Sequence, residues 1–231
     1  MRNRTASSEA GGISSAAAAA SRVRVAGAVV ILRGAFGSQE LLDGATTLVE
    51  EGLNVIEVTL NSPAALENIG LLRSAFGDAA LIGAGTCRDA AQVSAALEAG
   101  AQFTVAPNLD RRSVELALER DRLHLPGVFT GSEVADALRF GASMLKLFPC
   151  DAHGPVLLRA LSAPFDDVEF VAVGGVDAGN LSGYFAAGAV AVGLGSAVTK
   201  HFADPAALRR AAGAMSSVLA SARGQEPRSR A

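Results

Sequence analysis

Lysine is nearly absent from this sequence: of 20 basic residues, all but Lys146 and Lys200 are arginine. Acidic residues number 23, giving a formal charge of −3, so no net positive charge is available to drive nucleic-acid binding. Cysteine is scarce as well. Cys87 and Cys150 are too few for a disulfide scaffold, and their spacing fits no metal knuckle. No apolar run approaches the roughly 20 residues that span a bilayer. The basic start is followed by one weakly apolar stretch, Ala16–Ala20, too short and too weak for a signal peptide. The expectation is a cytoplasmic protein with no membrane and no nucleic-acid partner. Half the residues are apolar and 19% are charged, which excludes a disordered chain.

Residues 1–24 read as a loose tail with at most a helical turn near the alanines, and 224–231 as a frayed end. Between them, over 25–223, short β-branched runs alternate with longer helical patterns that often close in glycine. The runs are Ala28–Leu32, Val55–Leu60, Ala80–Gly83, Gln102–Ala106, His124–Val128 (broken by Pro126-Gly127), Met144–Phe148, Glu169–Val173 and Ala189–Leu194. Ser38 is placed to cap the first intervening helix, and Ser62 with Pro63 to open the second. Continuous apolar strands indicate a parallel sheet covered on both faces. Eight such units close into an α/β fold of the (β/α)8 TIM-barrel type. An open doubly wound sheet is the alternative, but the first strand ends in RGAFG and lacks the G-x-G-x-x-G turn.

In a barrel, the chemistry sits at the C-terminal ends of the strands. Lys146, inside MLKLF, admits two readings. Its stem packs on an outer face while the amine reaches water, or it points inward and is desolvated, which favours a neutral, nucleophilic amine. Glu57, inside VIEVTL, is either half of a structural ion pair with Arg33 or a general acid/base across the mouth from Lys146. Burial lowers the lysine pKa and a nearby carboxylate raises it, so the strands alone leave the net direction open. Gly174-Gly175 and Gly195-Ser196 end the last two strands, where this fold binds phosphate through backbone N–H groups. Arg33, with its planar donor fork, and Thr86 are candidates for a substrate carboxylate. Thr59, Asn61 and Ser62 are candidates to orient substrate hydroxyls, with helix capping the simpler role for Ser62. His153 follows the lysine strand and is a candidate substrate contact or a solvated residue. His124 and His201 read as incidental, and the two cysteines as packing residues. No metal site is expected.

The chain resembles the 2-keto-3-deoxy-6-phosphogluconate/-galactonate aldolases. ILRG at 31–34, IEVTLNSP at 56–63, LIGAGT at 81–86, VAPN at 105–108, LKLFP at 145–149, AVGGV at 172–176 and GLGS at 193–196 fall in family order. The resemblance implies a class I aldolase on a compact (β/α)8 barrel, trimeric and needing neither metal nor cofactor. Its products are pyruvate and D-glyceraldehyde 3-phosphate. It implies that Lys146 forms the Schiff base and Glu57 is the acid/base. Arg33, Thr86 and Pro107 would wall the carboxylate, and Gly174, Gly175, Gly195 and Ser196 would cradle the phosphate. Asn61 and Val173-Gly174-Gly175, with Gly154-Pro155, lean toward the galactonate branch, where the gluconate pattern has arginine and Thr-Gly-Gly. Cys87, Cys150, Asp151 and His153 depart from the family pattern and bear on substrate choice. A sugar-phosphate isomerase or a non-catalytic sugar-phosphate-binding barrel are the rival readings.

Overall fold

The structure is a computed structural model and describes residues 14–151 and 153–224. Its centre is a parallel sheet of β1 (Ala28–Leu32), β2 (Val55–Thr59), β3 (Leu81–Gly85), β4 (Phe103–Val105), β5 (Leu123–Leu125), β6 (Gly127–Val128), β7 (Met144–Leu147), β8 (Glu169–Val173) and β9 (Ala189–Leu194). The order is β5-β4-β3-β2-β1-β9-β8-β7-β6, with every pairing parallel. β5 and β6 are two halves of one stave. Pro126 between them has no N–H to give the ladder, yet its carbonyl accepts from Lys146 N–H at 2.9 Å, and Ala106 N–H reaches Leu125 O at 3.0 Å. The ladder therefore runs on around the ring, and the (β/α)8 expectation holds.

Alternation along each stave sorts the core into two. Inward side chains such as Val29, Val55, Leu81, Phe103, Leu123, Met144 and Val171 fill the barrel. Outward ones such as Val30, Ile56, Ile82, Leu145, Phe170 and Val192 pack under the helices. The helices are α1 (Ser15–Ala26), α2 (Ser38–Glu50), α3 (Ala65–Phe76), α4 (Ala90–Glu98), α5 (Arg111–Glu119), α6 (Gly131–Arg139), α7 (Gly154–Ser162), α8 (Leu181–Ala186), α9 (Ser196–Thr199) and α10 (Pro205–Gly224). Asp89, Asp110 and Thr130 cap α4, α5 and α6 by accepting from backbone N–H groups three residues on.

Three local expectations are corrected. The tail expected over 1–24 is helical from Ser15 onward: α1 is capped by Ser14, and its Ala19, Ala20 and Val23 close the N-terminal end of the barrel. Those side chains are too small to register as an apolar face in sequence, but a closed ring needs a cover at the end away from the site. Residues 1–13 and 225–231, the bulk of the expected frayed end, lie outside the described residues. Gly37, not Ser38, is the N-cap of α2. Ser62 does not cap α3, which starts two residues beyond Pro63 behind Ala64 in the left-handed region (φ 52°).

Candidate active site

Parity fixes which polar side chains face the interior. On β2, Val55, Glu57 and Thr59 point inward; on β7, Met144 and Lys146 do. Glu57 is 2% exposed and Lys146 5%. Inward placement is thus the outcome for both, and the outer-face reading of Lys146 is set aside. The ammonium group lies 4.7 Å from the Phe148 ring centroid, whose apolar body shields it from water.

Neither group forms an ion pair with the other or with Arg33 among the described residues. The Arg33–Glu57 pairing that sequence left open is absent, and Arg33 is exposed at the end of β1. The electrostatics follow from this. Burial outweighs the attraction of Lys146 and Arg33 and holds the Glu57 carboxyl above the usual carboxylate range. Burial also outweighs the Glu57 charge and pulls the Lys146 amine below its ordinary value. The direction that the strands alone could not decide is therefore set by desolvation. An amine of lowered basicity beside a carboxyl of raised basicity is an arrangement fit for nucleophilic attack with proton transfer.

The remaining candidates lie around the same mouth. Thr86 follows β3, half-buried with φ 60°, a left-handed backbone rare for a β-branched residue. Pro107 is half-buried beyond β4, its backbone packed where a side chain at Gly127 would stand. Asn61 is exposed after β2. Val173 is inward and buried at the end of β8. Gly174 and Gly175 follow with φ 114° and 65°. Side chains there would meet Cys150 N at 2.8 Å and Asp151 Cβ at 2.7 Å, so the loop after β7 alone already requires both glycines. Gly195 caps α9, and Ser196 is its exposed first residue.

Ser62 has a role that sequence did not reveal. Its buried Oγ accepts from Gly34 N–H at 3.1 Å and shares a hydrogen bond of 2.9 Å with Thr59 Oγ1. This chain ties the Arg33-Gly34 turn of β1 to the end of β2. Thr59 and Ser62 thus hold the strand end that carries Arg33. His153 is exposed and stacks obliquely on Phe129, with ring centroids 5.9 Å apart. Burial pushes the Cys87 thiol up to about 12 and that of Cys150 to about 11, in keeping with packing roles. Among the described residues, no group of three or more His, Cys, Asp or Glu side chains is placed to hold a metal. No helix among them is long and apolar enough to cross a membrane.

A parallel barrel with a buried amine and a buried carboxyl at its C-terminal mouth defines a barrel enzyme equipped for imine chemistry. The profile of the KDPG and KHG aldolases matches residues 20–206, and the chain belongs to that lyase family. It is similar to the 2-dehydro-3-deoxy-6-phosphogalactonate aldolase of Escherichia coli K12, 38% identical over 169 residues, covering 73% of this chain and 82% of that protein. The 2-dehydro-3-deoxy-phosphogluconate aldolase of Treponema pallidum is 35% identical over 166 residues, covering 71% and 77%. Among solved structures, a native KDPGal structure superposes with a TM-score of 0.81 at 34% identity over 86% of this chain and 96% of that one. The 2-keto-3-deoxy-6-phosphogluconate aldolase of Zymomonas mobilis ZM4 gives 0.79 at 30% identity over 87% and 95%. The chemistry common to this family is class I, Schiff-base cleavage of a 2-keto-3-deoxy-6-phospho sugar acid.

Proposed function

We propose that this chain cleaves 2-keto-3-deoxy-6-phosphogalactonate to pyruvate and D-glyceraldehyde 3-phosphate, with Lys146 as the Schiff-base residue and Glu57 as the acid/base. The observation that carries the reading is the inward, buried placement of these two groups at one end of the barrel, with no ion pair to either among the described residues. Lys146, as a neutral amine, attacks the C2 ketone. Glu57 returns a proton to the departing hydroxyl, directly or through a water, and the carbinolamine becomes an iminium. The Glu57 carboxylate then takes the C4 hydroxyl proton, the C3–C4 bond breaks, and its electron pair moves into the iminium to give an enamine. Glyceraldehyde 3-phosphate leaves, the enamine takes a proton at C3, and hydrolysis releases pyruvate and the free lysine. The iminium is the electron sink, so the cycle needs no metal or cofactor.

Arg33, Thr86 and Pro107 wall the carboxylate end in this reading, and Gly174, Gly175, Gly195 and Ser196 bind the phosphate, whose remote binding energy positions the reacting carbons. Asn61 and Val173 support the galactonate substrate over its C4 epimer, as do the similar relatives named for phosphogalactonate. The C4 hydroxyl is the group deprotonated, so one unpaired buried hydrogen bond suffices to discriminate the epimers. The reading extends to a cytoplasmic homotrimer, for which sedimentation velocity is the check.

Incubation with pyruvate and borohydride is expected to add a covalent mass to Lys146. No adduct, or an adduct on Lys200, overturns the assignment. Side-by-side kinetics on the galactonate and gluconate epimers, coupled to pyruvate detection, test the substrate. A galactonate-to-gluconate ratio of kcat/KM at or below unity assigns the enzyme to the gluconate epimer instead.

A further inference from the structure

The inward positions of β3 are Leu81, Gly83 and Gly85, two glycines in the middle of a buried strand. Neither has the positive φ that makes glycine necessary for a turn. A glycine inside a strand costs conformational entropy and gives up apolar burial, so something else must need the space. At Gly83 the claimant is the Phe103 ring, which a methyl group there would overlap. At Gly85 it is Glu57: a methyl would overlap its Oε1 and Cδ and stand 2.6 Å from its Cγ.

The register explains the encounter. Glu57 is paired level with Gly83, and Thr59 level with Gly85. The Glu57 side chain leans along the strand toward the mouth, as strand side chains do, and crosses the face of β3 one pleat up. Its carboxylate occupies the volume that any other residue at 85 would fill. Gly85 is buried, as are Gly83 and Ala84 before it on the strand.

We propose that Gly85 is a positioning residue for the aldol reaction: the missing side chain is the seat that holds the Glu57 carboxylate buried and facing the mouth. Gly85 acts through Glu57 and not on substrate, and the proposal rests on the acid/base reading of Glu57 given above. A methyl at 85 turns Glu57 outward into water. The carboxyl then loses the burial that raises its pKa, and it also leaves the reacting atoms.

Gly85→Ala is therefore expected to lower kcat by about 10²-fold, the cost of a misplacement on the order of 1 Å, with a smaller change in KM. The acid limb of its pH–rate profile moves to lower pH. Gly83→Ala on the same strand meets Phe103 instead; it is expected to lose thermal stability while keeping the wild-type acid limb. The decisive variant is Gly85→Ala combined with Glu57→Ala. Alanine at 57 has no atom beyond Cβ and clears the new methyl, so Gly85→Ala should lower the melting temperature in the wild-type background and leave it unchanged in the Glu57→Ala background, the signature of direct coupling. Should Gly85→Ala alone not fold, the double variant is expected to fold, since the conflict is with Glu57.

Gly85→Ala with near-wild-type turnover and an unmoved acid limb overturns the proposal. So do stability losses that simply add in the double variant, or a double variant that does not fold. Glu57→Gln separates this from the reading beneath it: wild-type turnover in that variant defeats the acid/base role itself, whatever Gly85 does.

Discussion

At the N-terminal end of the barrel, the carboxylate of Glu169 opens β8 on the inward side and is met by Arg24 of α1 through both oxygens, one contact measuring 2.9 Å. At the C-terminal end, the carboxylate of Glu57 is more deeply buried and, among the described residues, forms no ion pair. Both are inward carboxylates of the same barrel. The lower one is half in water and paired, and its charge costs little. The upper one is desolvated and unpaired, and its proton affinity rises. The contrast separates an end built to stay closed from an end built to react: pairing quenches a charge, whereas burial without pairing leaves the group ready to exchange protons. The strain at Thr86 falls at the mouth as well, and the apolar cover of Ala19, Ala20 and Val23 falls at the base.

The largest effect that tests this contrast is at Lys146. In Lys146→Met, turnover and pyruvate trapping fall below detection, while urea unfolding shows the protein to be more stable by about 0.5–2 kcal/mol, because a desolvated amine has been replaced by an apolar chain. A loss of stability there would show that the buried amine is held by interactions as favourable as those at the base. Below the site, Phe103→Ala removes a fully buried ring from the barrel interior and is expected to cost ~3–5 kcal/mol. Pyruvate trapping on Lys146 survives it in the folded fraction, and trapping lost in step with the unfolding free energy would erase the division between the ends.

His124 gives the next effect and lies outside both ends, between the barrel and the helices. It is 6% exposed, its Nδ1 is 2.8 Å from Thr104 Oγ1, and its Nε2 has no hydrogen-bond partner among the described residues. Burial pushes its pKa down to about 4 from the ordinary 6.5, so it is neutral in the folded protein. The unfolded chain binds the extra proton first. Stability from this group is complete above pH 6.5 and is lost as the pH falls toward 4, by about 3 kcal/mol in all. A proton NMR titration that finds the His124 imidazole protonating at its ordinary value would remove this contribution. The smallest effect is at the base: Glu169→Gln is expected to cost about 1 kcal/mol or less, since the Arg24 pair is partly exposed and screened by salt. A larger loss, insensitive to salt, would make the base pair a buried one in its energetics.

Much of the fold was legible from periodicity. The staves from Ala28–Leu32 to Ala189–Leu194 and the break at Pro126 were read from apolar runs and turn residues, because both faces of a barrel strand are covered and both must be apolar. Lys146 and Glu57 stood out for the same reason, as charges inside runs that admit none. α1 escaped notice because its buried face is mostly alanine, which looks the same on a tail as on a docked helix. Ser62 was misread because its partner, Gly34 N–H, is 28 residues away in the chain. The space at Gly83 and Gly85 could not be read at all, since a glycine announces no neighbour.

The alternation of strands and helices, the family motifs and the short list of charged groups that interrupt apolar strands are written in the order of residues along the chain. These are local patterns, set by which side chains can be buried where. It took the closed ring to show that Lys146 and Glu57 both face one interior, that neither forms an ion pair among the described residues, and that desolvation overrides their mutual attraction. Those outcomes depend on the distances between strands far apart in the chain and on how much water the closed ring excludes, quantities that no stretch of sequence contains.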